Sequence, residues 1–320
     1  MGRGPIQIGE LVKLPETTRT DRRLNEAVED IFGATTLSRG DLGYLLSLHA
    51  HVYLPRKRTA ATRHVHANGP YSVLVDAGPL LDPGSKEWID QPLPYGGKPR
   101  ALLAFVASYA KRHRAREVPL GDSFTDFVRQ MAGSATGGAS GSLTLWRKQF
   151  SALAAATIRV GAAFDGQATV RKIDVAEQIE VWFAREPGQM SLFPSSVTLT
   201  GAYYDLIQNH AMPIDWRAFR ALQGDPLALD TYLWLTYRLP RVRERGGRLI
   251  PWGSLHAQFG PEYSRLRDFR RYFTRALGKA IKVYPSARVD VAKAGVVVKS
   301  SPPAVARRQS RVVKIADLAP

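Results

Sequence analysis

The chain has 320 residues, enough for two or three ordinary domains with sizeable cores, and at 44% hydrophobic and 23% charged it reads as soluble and globular. No apolar run approaches the roughly 20 residues of a membrane span, and residues 1–13 lack the apolar core of a secretion signal, so a cytoplasmic protein is expected. There is no cysteine, which excludes disulfides, thiolate metal sites and cysteine nucleophiles, and the net charge of +17 favours a polyanionic partner.

Residues 1–40 are expected to form a flexible N-terminal arm with one short helix near 22–32, where Leu24, Val28 and Ile31 share a face. From 42 to 54 the apolar content rises. Pro55-Arg56-Lys57-Arg58-Thr59 then opens a basic loop, residues 71–75 have strand composition, and prolines and glycines punctuate 82–99.

Three helices follow, over 100–112, 123–131 and 141–156, the second with Ser123 and Asp126 spaced as a capping box. In the third, Leu143, Trp146, Phe150 and Leu153 point inward, leaving Thr144, Lys148 and Ser151 outward and Arg147 at the edge. Strands at 158–164 and 169–183 around Asp165-Gly166 complete a first winged helix over 41–190. Its outward residues are expected to make a weaker DNA contact; a packing or dimerisation module is the alternative. The Gly-rich run 133–142 ends in no Gly-Lys-Ser/Thr, so it predicts a turn into a helix and not a nucleotide loop.

The same order recurs over 191–303, the junction lying near 185–195. A short strand at 197–200 and a helix at 201–209 come first, then a helix capped by Asp215. Gly224-Asp225-Pro226 ends that helix and starts the next, a run at 227–239 apolar nearly all round and therefore expected to be central. A basic loop at 241–248, a strand at 249–252 and a helix stopped by Gly260-Pro261 lead to residues 265–282.

That last stretch carries the strongest signal. At about 100° per residue, Leu266, Phe269, Phe273, Leu277 and Ala280 fall on one side of a helix. Ser264, Arg267, Asp268, Arg271, Arg275 and Lys282 fall on the other, with Arg265 and Arg270 on the shoulders. Between Arg238 and Lys282 there are twelve basic and three acidic side chains. Strands at 288–292 and 296–299 around Lys293-Ala294-Gly295 predict a wing. Arg267, Arg271 and Arg275 are expected to read bases in the major groove; Arg265, Arg270, Lys279, Lys282 and the wing's Lys293 are expected to hold phosphates. A merely solvated cationic face is the alternative.

The enzyme alternative rests on His49-Ala-His51 and His64-Val-His66, a spacing that suits the metal site of nucleases nicking DNA through a tyrosine, for which Tyr109 would be the nucleophile. No acidic third ligand lies near, and histidines in a basic surface loop are the preferred account. Trp216, Trp234 and Trp252 are expected in the core.

These residues also carry a resemblance. Leu192 to Ser195, Asp215 to Leu222, Asp225 to Asp230, Tyr232 to Pro240, Leu249 to Trp252, Gln258 to Gly260, Arg267 to Arg271 and Ser301 to Pro303 resemble the C-terminal part of plasmid-encoded RepA-type replication initiators. Leu93 to Gly96, Pro99-Arg100, Thr136 to Gly138 and Gly141-Ser142 are similar to that family's N-terminal half. The resemblance implies a protein that binds double-stranded plasmid origin DNA at repeated sites and recruits host replication proteins (initiator and helicase), with dimers able to repress their own gene. The expected fold is thus α+β, two tandem winged-helix domains with an N-terminal extension and a basic tail over 304–320, no cofactor, no metal and no catalysis. The rivals are a transcriptional repressor, a tyrosine nicking endonuclease and a nonspecific architectural protein.

Overall fold

A computed structural model describes residues 19–34, 37–81, 85–121, 123–133, 135–138, 141–164, 167–179 and 196–305. The start of the arm, part of the Gly-rich run, the Asp165-Gly166 turn, the 185–195 junction with Leu192 to Ser195, and nearly all of the tail lie outside those residues.

The chain is a mixed α/β protein. Its second half is built around α7 (Pro226–Arg238), whose start follows the local chemistry: the Asp225 carboxylate accepts from the Ala228 N–H at 3.2 Å and Pro226 occupies the first turn. Leu229, Tyr232, Leu233 and Leu235 are fully buried, which is why the run is apolar all round. Strand β12 (Arg248–Pro251), helix α8 (Trp252–Phe259), helix α9 (Leu266–Lys282) and the hairpin β13 (Val289–Val291) and β14 (Gly295–Val298) follow. The sheet runs in the order β12-β14-β13, all antiparallel, so the strand before the helix pair lies beside the returning arm of the hairpin. A side chain at Gly260 would collide with the Phe269 ring, so the turn into α9 depends on a bare backbone there.

The first half has helices α2 (Gly97–His113), α3 (Phe124–Ala132) and α4 (Ser142–Ala155) and the hairpin β7 (Thr157–Phe164) and β8 (Gln167–Ile173). Ser123 Oγ accepts from the Asp126 N–H at 3.1 Å, as the capping box requires. The sheet of this half is larger than that of the second half. The hairpin is extended by upstream strands β2 (Arg63–Asn68) and β3 (Tyr71–Asp76) in the order β2-β3-β7-β8, while β6 (Glu117–Pro119) pairs instead with β10 (Ser196–Leu199), which also pairs with β9 (Ala176–Ile179). A separate ribbon joins β4 (Pro79–Leu81) to β5 (Trp88–Asp90).

The 190/191 division passes between elements that hydrogen-bond to each other. Strand β1 (Leu42–Leu46) pairs antiparallel with β11 (Ala211–Asp215), from Leu42 opposite Asp215 to Leu46 opposite Ala211, and β10 adds to first-half strands. Residues of both halves share one contiguous hydrophobic core. Burying Asp230 on α7, 1% exposed, requires a partner. Arg100 supplies it with Nε at 2.8 Å and Nη2 at 3.1 Å, and Arg56 with Nε at 2.8 Å. The expected free arm is also corrected: α1 (Arg19–Gly33) packs on α6 (Trp216–Leu222), with Leu24 buried and the Asp30 carbonyl accepting from Arg217 Nη1 at 2.9 Å. Its amphipathic face needs cover, and the second half provides it.

Candidate nucleic-acid interface

Helix α9 is fixed by its aromatic back. Phe269 and Phe273 are fully buried, their rings 5.3 Å apart; Phe273 also lies 5.0 Å from Phe259 and 6.4 Å edge-on from Trp252. Arg267, Arg271 and Arg275, four residues apart, are exposed on the opposite side, and none forms an ion pair among the described residues. Arg271 lies over the Tyr272 ring at 4.9 Å and donates from Nη2 to Tyr272 Oη at 3.2 Å, which restricts the guanidinium without neutralising it. Arg265 is exposed at the helix entry and Lys282 is half-buried near its end.

Three expected positions shift. Leu266 is 43% exposed, because it begins the helix before the core is reached. Lys279 is turned inward and does not present its ammonium to solvent: its Nζ sits 3.0 Å from Asp225 Oδ2 and 3.9 Å from Asp21 Oδ1. The wheel position that suggested a phosphate contact is covered by the start of α7 and by α1, so this lysine clamps those helices. Arg270 lies 4.9 Å over the Trp252 ring and its Nη2 is 3.5 Å from the carbonyl of Lys293. Since Trp252 Nε1 donates to Ala292 O at 3.2 Å, Arg270 and Trp252 tie the β13–β14 hairpin to the helix. Lys293 itself is exposed at the tip of that hairpin.

The first-half positions are less available. Thr144 Oγ1 donates to Gly138 O at 2.8 Å and Ser151 is half-buried, while Arg147, 5.4 Å over the Phe124 ring, and Lys148 are exposed.

The histidines lie in structured surroundings, which corrects the surface-loop account. His64 and His66 are on strand β2. His64 Nε2 donates to Tyr53 O at 2.9 Å; His66 Nε2 donates to Gln258 O at 2.8 Å while its Nδ1 accepts from the Tyr53 N–H at 3.3 Å. Burial holds His66 below its ordinary value against the raising pull of the bond to Gln258, so the neutral ring is favoured. Among the described residues no group of three His, Cys, Asp or Glu is placed to hold a metal. Tyr109 stacks on His113 at 4.2 Å. Trp216, Trp234 and Trp252 are buried.

Sequence reasoning passed over one basic element beside this face, the loop at 56–62, although its charge was plain. What it lacked was a neighbour: Arg56 Nη1 donates to Phe259 O at 2.7 Å and to Glu262 Oε1 at 3.1 Å, setting the loop against the turn into α9.

The geometry defines a mixed α/β protein with a cationic helix face flanked by a hairpin. By sequence the chain belongs to the family of plasmid-encoded RepA proteins, whose model matches residues 93–253. The match includes the capped central helix α7 and ends before α9. Among solved structures the chain is similar to domains 2 and 3 of RctB, in one crystal structure at 12% identity over 78% of this chain and 95% of that one, with a TM-score of 0.47. A second structure of RctB domains 2–3 gives 10% identity over 77% and 86%, with a TM-score of 0.43. No curated protein matches the sequence. No helix among the described residues is long and apolar enough to cross a membrane.

Proposed function

We propose that this protein initiates replication of the plasmid that encodes it by binding double-stranded origin DNA, and that its two halves are winged-helix units of which the second reads sequence. Membership of the plasmid RepA family supports the initiator role. The observation that carries the DNA reading is the placement of Arg267, Arg271 and Arg275 on the outer side of a helix whose Phe269 and Phe273 are sealed inside. A helix about 10–12 Å across enters a major groove about 12 Å wide, where exposed arginine forks match guanine O6 and N7. Arg265 and Lys282 meet phosphates from the two ends of the helix and Lys293 from the wing. Arg147, Lys148 and Ser151 add a weaker contact.

In this reading the protein acts in the cytoplasm by binding and not by catalysis, uses no cofactor, and recruits host initiator and helicase, with a homodimer serving repression of its own gene. Footprinting on DNA flanking that gene tests the function: repeated protected segments are expected, and uniform coverage would instead indicate a nonspecific architectural protein. A divalent-metal cleavage assay on supercoiled origin DNA is expected to leave it intact; capture of DNA on a tyrosine would make the protein a nicking enzyme.

A further inference from the structure

The outer face of α9 has two shoulders. Arg270 and Tyr272 lie one residue to either side of Arg271, each about 100° around the helix from it. The Arg270 shoulder reaches the wing through Lys293 O. On the other, Tyr272 and Arg275 form one wall of a cleft of about 380 Å³ whose opposite wall includes Arg56 and Lys57 of the loop at 56–62. The helix therefore lies between two basic projections, only one of which is part of its own hairpin.

This loop is held rigidly at its root. Arg100, itself buried, donates from Nη2 to Leu54 O at 2.7 Å and from Nη1 to Pro55 O at 3.2 Å. The next residue, Arg56, binds Asp230, Phe259 O and Glu262. Both carboxylates that line the cleft are already engaged, Glu262 by Arg56 and Asp225 by Lys279 and the cap of α7. Lys57, Arg58 and Arg275 are exposed and have no hydrogen bond or ion pair among the described residues. Uncompensated positive charge on a pinned loop costs little ordering when an anion arrives.

We propose that the loop at 57–62 is a second phosphate-binding element for duplex DNA, with Lys57, Arg58 and Arg275 gripping the strand on the side of the groove away from the wing. This rests on α9 lying in the groove. A helix so placed has a phosphate strand on each flank, and the wing reaches only one of them. It also moves Arg275 from the base-reading set to the phosphate set, because Arg275 forms a wall of the cleft whereas Arg267 and Arg271 do not.

The test uses the full chain and the double variant Lys57→Ala/Arg58→Ala. Fluorescence anisotropy is measured on a labelled duplex taken from a segment footprinted beside its own gene, and on a random duplex of equal length, between about 50 and 200 mM salt. The salt slope is expected to fall by about two, with equal loss on both duplexes. Lys57→Arg/Arg58→Lys is expected to restore it. Ethylation interference is expected to lose phosphates on one strand, and Lys293→Ala to lose phosphates on the other. An unchanged slope and interference pattern in the Ala variant, or loss of the same phosphates in both variants, overturns the proposal. If the wild type prefers no segment and Arg271→Ala binds as tightly, the groove reading fails and takes the loop with it.

Discussion

Helices α4 and α9 occupy the same place in two similar element orders, yet they present different surfaces. On α9 three arginines, at 267, 271 and 275, are exposed over an aromatic base, with Arg271 resting on the neighbouring Tyr272 ring. On α4 the equivalent outer positions are partly occupied by the protein itself, Thr144 by the Gly138 carbonyl and Arg147 by the Phe124 ring, while the following hairpin is absorbed into a four-stranded sheet. Element order alone therefore does not specify a binding face. What decides it is how many cationic side chains remain exposed and, among the described residues, without an ion pair on the outer face, three arginines on α9 against one on α4.

The sharpest test of the comparison asks whether the two halves are separable at all. Asp230→Asn leaves Arg56 and Arg100 buried with reduced compensation, and should cost about 3–5 kcal/mol in urea denaturation. The transition should remain single, because the β1–β11 pairing and the shared core still join both halves; two transitions would show independent domains.

Acid should act on the same body. His49 is lowered from 6.5 to about 4, by burial first and by the Arg100 charge second. A depressed histidine favours the neutral ring in the folded state, so its contribution is intact above pH 6.5 and is lost as pH falls toward 4. Linkage puts that loss at about 3 kcal/mol by pH 4. His49→Gln should flatten the wild-type pH dependence of unfolding over that window, and an unchanged profile would remove His49 as its source.

Between the two helices themselves, Arg271→Ala should weaken specific duplex binding by about 1–3 kcal/mol and relax one base preference. Arg147→Ala should cost less than about 1 kcal/mol, since it is the one arginine on the outer face of α4. Equal effects in a competition titration would erase the distinction drawn here. The smallest change is expected for Lys293→Ala, which should lower the salt slope by about one and leave the ratio of specific to random binding unaltered.

Much of the second half was legible because its determinants are local. Asp225-Pro226 marks the start of α7, Asp215 caps α6 with an Oδ1 bond to the Arg217 N–H at 2.9 Å, and the aromatic stripe of α9 repeats at helical spacing. The hairpin expected at 288–299 is found as β13 and β14. The misses share a cause in sequence distance. Nothing in residues 42–46 shows that they pair with 211–215, and nothing near Lys279 shows that Asp21 approaches it. His64-Val65-His66 read as a loop because alternation with exposed Val65 conceals a strand whose imidazoles bond to distant carbonyls.

The pairing of Leu42–Leu46 with Ala211–Asp215 bears on how the protein is made. While the ribosome is still extending the first two hundred residues, β1 has no partner, and Arg56 and Arg100 wait for an aspartate not yet synthesised. The nascent amino-terminal portion thus emerges with an open strand edge and unmatched cations, and it reaches its final form only after translation has passed Asp230.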